Sequence, residues 1–343
     1  MENISSLKHL IGQSARVSVV VHTHPDGDAL GSGAAMTVYL RERLGKDAVM
    51  IIPDSAPPTI DFIIEGLGVL DASKDPAAAE KRILGSDLLI LLDLNAFHRT
   101  EHLAGTLAAS SARKVLIDHH LNPEKERFDL VFSQTHRSSA CELLYFILKE
   151  MEDGVVKAIP QRALQALMTG MTTDTNNFAN SVIPSTLQMA SELLEAGVDR
   201  NAIIDKIYRS DREQRLSAFA DMVANHLVIL SSGISYMIMT EEMQQAYGLM
   251  EGETEGLVNI PLNVEKVRLS IFLREEKGVF RVSIRAKSGA SAQKMAREFF
   301  HGGGHELAAG GKLFWPEDIP SKEEAAPYLE EIAARFLRNE TTN

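Results

Sequence analysis

Residues Leu88-Leu89-Ile90-Leu91-Leu92 form an unbroken apolar run that ends in an aspartate, Asp93. A strand with one face in water alternates apolar and polar side chains, whereas a continuous run requires cover on both faces. Comparable runs recur through the first half of the chain, in ARVSVVVHTH, KDAVMIIPD and ARKVLIDHH. Amphipathic stretches lie between them, the clearest running as a helix from about Ala29 to Leu44. This alternation predicts an α/β fold with a parallel sheet. FDLVFS reads as a further, edge-like strand, and SSACELLYFILKEM and IPQRALQALMTGMTTDT read as helices.

A chain of 343 residues exceeds a typical single core, so two domains are expected. Residues 1–188 form the first and 226–343 a smaller α/β second one, joined by a helical connector over 189–225 that breaks near Gly197. In the second domain VILSSGISYMIMT, KVRLSIFLREE and GVFRVSIRA read as strands, the last two parted by a turn at Lys277-Gly278. A helix near Ala292–Phe300 leads into the glycine-rich HGGGH, and EEAAPYLEEIAARFLR closes the chain as a helix.

The net charge is −12, from 47 acidic and 35 basic side chains, and no basic stripe is visible. Affinity for long nucleic acid comes from neutralising phosphates, so a long-duplex binder is excluded and any such substrate should be short. No stretch approaches the roughly 18 consecutive apolar residues of a membrane span. The first residues lack the basic start and apolar core of a signal peptide, so a cytoplasmic chain without membrane contact is expected. Cys141 stands alone, so no intrachain disulfide forms, and a buried helical position is expected for it.

Four clusters of aspartate and histidine each follow an apolar run, where open parallel sheets place their ligand sites. His22, Asp26 and Asp28 surround a Pro-Asp-Gly turn that can fold their N and O atoms toward one point. The same residues also suit a plain turn with Asp26 capping the next helix. Asp93 ends the run described above, where an unpaired carboxylate is costly unless solvated, paired or metal-bound. Asp118-His119-His120 end another strand, and Asp174 sits in a Thr- and Asn-rich loop or helix start.

Taken in order, these four motifs resemble those of the DHH phosphoesterase superfamily, and HGGGHELAAGG resembles the signature of its DHHA1-type second domain. The resemblance spans about His22 to Gly311, and in length and layout the chain is similar to the nanoRNase group. It implies one divalent ion held by His22, Asp26 and Asp93 and another by Asp28, Asp93, His119 and Asp174, with Asp93 bridging. Such a pair would activate a bridging water. Thiolate-free mixed ligands favour Mn, with Mg or Co as substitutes. Asp118 would orient a histidine, and His120 would contact phosphate or give a proton to the leaving oxygen. Arg285, Gly303, Gly304 and His305 would bind substrate from the second domain. Ser139 fits a capping box with Glu142 and, second to that, a phosphate contact.

The implied activity is hydrolysis of very short RNA or DNA oligonucleotides to mononucleotides and of 3′-phosphoadenosine 5′-phosphate to AMP. A homodimer through the first domain is common among such proteins. The alternatives are a phosphodiesterase for cyclic di-AMP or its linear product pApA, and a non-catalytic nucleotide sensor. All six implied ligand positions carry liganding side chains, which argues against the sensor.

Overall fold

The computed structural model describes residues 3–340, which divide into two compact units between Ser210 and Asp211. The first contains, in order, α1 (Ile4–Gln13), β1 (Arg16–Val20), α2 (Gly27–Val38), β2 (Asp47–Ile52), β3 (Leu70–Asp71), α3 (Pro76–Leu84) and β4 (Leu88–Leu92). There follow α4 (Ala104–Ala109), β5 (Arg113–Asp118), β6 (Leu130–Ser133), α5 (Ala140–Met151), α6 (Gln161–Asp174), α7 (Pro184–Glu195) and α8 (Arg200–Tyr208). Its six strands are parallel in the order β3-β2-β1-β4-β5-β6, which puts FDLVFS at an edge.

The apolar run of β4 is buried at every residue, as its composition requires. Leu88, Ile90 and Leu92 join a core with residues of α2, α5 and α6, while Leu89 and Leu91 pack on the other face with Ala79, Ile83, Phe97 and Leu107. The strand order reverses between β1 and β4, where Val20 pairs with both Ile51 and Leu91. The chain leaves these two neighbouring strands in opposite lateral directions, which opens a crevice at their C-terminal ends.

On the α2 side of the sheet, α2 and α6 cross at glycines. A Cβ at Gly31 would lie 2.7 Å from the carbonyl oxygen of Ala166, and one at Gly170 would lie 2.9 Å from that of Gly27. Both are closer than side chains tolerate, so the absence of Cβ atoms sets how near the helices come.

The second unit runs α9 (Glu213–Asn225), β7 (Val228–Ile229), β8 (Ile234–Met239), α10 (Glu241–Tyr247), β9 (Leu269–Glu276), β10 (Val279–Ala286), α11 (Ala292–Phe299), β11 (Gly303–Gly304), β12 (Ala308–Phe314) and α12 (Ala325–Glu340). Its sheet has the order β11-β12-β10-β9-β8-β7, antiparallel except between β8 and β9. Along β10 buried and partly buried residues alternate, and Phe280, Val282 and Ile284 pack with Met295, Phe300, Leu329 and Ile332. Lys277 and Gly278 both have positive φ, 50° and 79°, which suits the tight hairpin between β9 and β10.

Three details differ from the sequence expectation. Asp174 is the last residue of α6 rather than part of a loop or helix start. The 189–225 stretch is interrupted twice, after Glu195 and again at 209–212, and the division between units falls inside it. The strand β12, AAGGKLF, was hidden by its alanines and glycines, which carry little strand preference of their own. Among the described residues no helix is long and apolar enough to cross a membrane.

Candidate metal centre

The crevice at the ends of β1 and β4 collects side chains from five elements. His22 lies two residues beyond β1, and its Nδ1 bonds the carbonyl of Thr23 at 2.7 Å. That leaves Nε2 facing Asp93 Oδ2 at 3.4 Å and Asp26 Oδ1 at 3.8 Å. The loop carrying it is anchored to Asp54, which accepts from the hydroxyl of Thr23 and, at 2.8 Å, from the N–H of His24. Asp26 also caps α2, its Oδ1 accepting from the N–H groups of Asp28 and Ala29, the turn-and-cap arrangement of this segment.

Asp93 follows β4 directly with φ +58°, a conformation aspartate tolerates better than most residues. Its carboxylate is 2% exposed, and Oδ1 is buried without a hydrogen-bond partner. His119 Nε2 and His120 Nδ1 each lie 3.5 Å from that oxygen. His119 Nε2 also stands 3.8 Å from Asp28 Oδ2 and 3.8 Å from Asp174 Oδ2.

These residues form three overlapping groups able to share an ion: His22–Asp26–Asp93, Asp28–His119–Asp174 and Asp93–His119–His120. Separations of 3.4 to 3.8 Å are too wide for good hydrogen bonds. They approach the ~3–3.6 Å between neighbouring atoms that bind one ion at metal–ligand distances of about 2.0–2.2 Å. The orphaned, buried Asp93 Oδ1 is an acceptor that a bound cation would satisfy. The residues present therefore fit a pair of divalent ions.

The electrostatics agree. Burial, then the charge of Asp93, raises Asp28 to about 7. Burial and the charge of Asp28 push Asp174 well above the carboxylate range. Burial opposes ionisation of Asp93, but the neighbouring imidazoles of His119, His22 and His120 outweigh it and hold the group well down. Burial would lower His22 and His119, yet Asp93 and the neighbouring carboxylates raise both. Carboxylates crowded out of water beside one another lack positive charge, which a divalent cation supplies.

Asp118 is fully buried, and its Oδ1 lies 2.8 Å from His120 Nδ1, the contact of an orienting partner. Cys141 is buried in α5, with Sγ 3.6 Å from the carbonyl oxygen of Asp28, and burial followed by the charge of Asp28 pushes its thiol up. It is packing, not a nucleophile. Ser139 is buried, and its hydroxyl oxygen accepts from the N–H of Glu142, which gives it the capping role. The expected box is displaced by one residue, because the Glu142 side chain accepts from the N–H of Ser138 rather than Ser139.

Three residues around the site were not singled out as site residues from sequence. Asp54 anchors the His22 loop. The carbonyl of Arg137 lies 3.3 Å from His119 Nδ1. Glu142 is fully buried, and although burial opposes its ionisation, bonds from Ser138, Ser185 and Arg137 hold its carboxyl below the usual range. Asp54 had a signal, since it too follows an apolar strand. The other two act through contacts between elements that no local pattern announces.

In the second unit the sheet unites the remaining candidates. Arg285 on β10 pairs with Ala308 on β12, and the adjacent Ala309 pairs with Gly304 on β11. Its side chain is 28% exposed, and its guanidinium lies 3.7 Å from the carboxylate of Glu255. Gly303, Gly304 and His305 are exposed. The three consecutive glycines serve different ends. A Cβ at Gly302 would collide with the carbonyl oxygen of Gly310, and one at Gly304 would stand 2.7 Å from that of Ala308, where φ is also +143°. A Cβ at Gly303 would meet nothing within 4 Å. Gly302→Ala should therefore destabilise this unit by about 1–3 kcal/mol, as overpacking does. Gly303→Ala should leave the urea midpoint unchanged, and equal losses in the two variants would refute the distinction.

Family models match in the same places: the DHH family, N-terminal domain, over residues 16–171, and the DHHA1 domain over residues 235–331. The chain is 25% identical over 305 residues to the bifunctional oligoribonuclease and PAP phosphatase NrnA of Bacillus subtilis, covering 88% of this chain and 91% of that one. It is 23% identical over 346 residues to the cyclic-di-AMP phosphodiesterase PdeA of Listeria monocytogenes, covering 98% of this chain but 50% of that protein. The crystal structure of an exopolyphosphatase-related protein from Bacteroides fragilis matches with a TM-score of 0.91 and 30% identity, over 98% of this chain and 96% of that one. The chain belongs to the DHH phosphoesterase family, with a DHH domain within its first unit and a DHHA1 domain within its second.

Proposed function

We propose that this protein hydrolyses phosphate esters of very short oligoribonucleotides and of 3′-phosphoadenosine 5′-phosphate, using two divalent ions, with Mn as the native metal. The observation that carries the reading is the grouping of His22, Asp26 and His119 around the buried carboxylate of Asp93, with Asp28 and Asp174 joined to it through His119. The bound ions supply positive charge that polarises the scissile phosphate and makes an attacking water acidic near neutral pH.

The chain's own groups do the remainder. Asp93 presents one oxygen toward His22 and the other toward His119 and His120, which fixes the spacing of the two binding groups. Asp118 holds His120 by Nδ1 and so orients the ring that would contact phosphate or give a proton to the leaving oxygen. Arg285 offers a planar pair of donors to a phosphate, and exposed Gly303 and Gly304 let a ligand approach the backbone. The net charge of −12 disfavours a long polyanion, which supports substrates of a few nucleotides. A cytoplasmic location suits such substrates.

The kinship with NrnA over nearly both full lengths favours the oligoribonuclease and phosphatase reading. The likeness to PdeA makes hydrolysis of cyclic di-AMP the second reading. A parallel assay with Mn decides between them, using an RNA dinucleotide, an RNA of about 24 nucleotides, 3′-phosphoadenosine 5′-phosphate and cyclic di-AMP. Turnover of the dinucleotide and the phosphoadenosine phosphate should far exceed that of the longer RNA. Dominant cleavage of cyclic di-AMP would transfer the protein to the second reading, and metal uptake without turnover would make it a sensor.

Arg285→Ala should raise KM for the dinucleotide about 10- to 100-fold, the loss of a charged hydrogen-bonding partner, with little change in kcat. Unchanged KM in steady-state kinetics would remove Arg285 from the substrate site.

A further inference from the structure

We propose that Glu142 is a positioning residue that assembles the Asp28–His119–Asp174 ion group and leaves the His22–Asp26–Asp93 group untouched; this rests on the two-ion reading above. The carboxylate of Glu142 is fully buried in the first turn of α5 and accepts five hydrogen bonds. Oε2 takes the N–H of Ser138 at 3.0 Å, its hydroxyl at 2.6 Å and that of Thr186 at 2.8 Å. Oε1 takes Arg137 at 2.9 Å and the hydroxyl of Ser185 at 2.5 Å. The donors come from two places, the turn before α5 and the first turn of α7. Glu142 thereby fastens the one to the other.

Each of the three ligands hangs from this fastening. The carbonyl of Arg137 lies 3.3 Å from His119 Nδ1, and an N–H there directed to that carbonyl turns Nε2 toward the carboxylates. The guanidinium of the same Arg137 is held by Glu142, by Gln134 Oε1 at 2.8 Å and by the ring of Phe146, 4.6 Å away. Directly after Ser139, the N–H groups of Ala140 and Cys141 donate to the two oxygens of Asp28 at 2.6 and 2.9 Å. They are free donors of a helix N-terminus, which also favours the negative charge.

The third ligand, Asp174, ends α6, and nine residues separate it from α7. Asn176, Asn177, Phe178 and Ser181 in that segment have positive φ, so the tight path needs both ends held. Ser185 and Thr186 bonding to Glu142 hold the far end. By contrast His22 and Asp26 are fixed through Thr23, Asp54 and the start of α2, where Asp26 bonds the N–H of Asp28, and among the described residues neither bonds Glu142 or its donors. Substitution of Glu142 should therefore be felt at one ion and not at the other.

The test is a titration of the metal-free full chain with Mn2+, reading free ion by electron paramagnetic resonance, with circular dichroism as the check on folding. Wild type should take up two ions. Glu142→Gln keeps the shape of the side chain but removes its charge and turns one of its two acceptor oxygens into an NH2 that faces donors. It should bind one ion with wild-type affinity and the second about 10- to 100-fold more weakly, the usual cost of losing a group that orients ligands. In the Glu142→Gln background, Asp26→Ala should abolish the remaining tight site, whereas Asp174→Ala should add nothing. Ser185→Ala removes one donor without altering a buried charge and should weaken the same ion by less; it carries the test if Glu142→Gln does not fold. Two ions at wild-type affinity in the folded variants, or equal weakening of both, would overturn the assignment. Wild type that binds fewer than two ions would instead overturn the two-ion reading beneath it.

Discussion

Asp93→Ala is expected to abolish hydrolysis, lowering kcat/KM by well over the ~100-fold that accompanies loss of a mere orienting partner. The reason is geometric. Oδ2 lies 3.4 Å from His22 Nε2, and Oδ1 lies 3.5 Å from both His119 Nε2 and His120 Nδ1. Asp93 is common to two of the three candidate groups, and His119 links it to the third. Deleting the carboxylate leaves those imidazoles without their shared negative partner and separates the two ion positions. Asp93→Asn, which keeps the volume, should fail nearly as badly, because the missing element is charge. The decisive measurement is Mn-dependent hydrolysis of the dinucleotide beside a titration for bound Mn. A variant that kept two ions and a tenth of the wild-type rate would show that Asp93 neither bridges nor organises the site.

Gly170→Val should be nearly as damaging, though the residue offers no ligand. A Cβ at this position would fall on Cys141 Sγ, lie 2.9 Å from the carbonyl oxygen of Gly27 and 3.1 Å from the Cα of Asp28. Even alanine there should cost about 1–3 kcal/mol, as overpacked cores do, and valine more. Relief requires α6 to move away from α5, which carries Cys141, and from α2. Asp28 stands in the first turn of α2 and Asp174 at the end of α6, so that separation pulls apart the carboxylates flanking His119. Urea unfolding should show the lower midpoint, and Mn titration should show one ion weakened. An unchanged midpoint together with two tightly bound ions would refute the account of the helix crossing.

Much of this arrangement was legible in the sequence because its causes are local. An apolar run such as Leu88–Leu92 has only one low-energy setting, a strand covered on both faces, and its two core clusters occupy those faces. Charged groups cannot continue into such a core, so Asp93, Asp118 and His119 had to appear at or just past strand ends. Asp26 could be read both as a cap and as a ligand candidate because its position at the start of α2 serves both uses. The hairpin at Lys277-Gly278 announced itself by the positive φ that glycine permits.

The rest depends on contacts between distant residues. Nothing near Ser139 says that its hydroxyl is sealed inside the fold, nor that the carboxylate of Glu142 reaches Ser138 and then α7. β12 is poor in strand formers and exists because β10 offers it a ladder of hydrogen bonds. Gly302 and Gly303 look alike in the chain, yet one is pressed against a neighbouring backbone and the other faces open space. The sequence alone determined which residues can form strands, which can bind ions and in what order they come, because periodicity, charge and side-chain chemistry are carried by each residue. Only the tertiary structure decided which oxygen faces which nitrogen and which buried carboxylate holds the others in place, because those facts arise from packing between segments distant in the chain, as between Asp28 and Cys141.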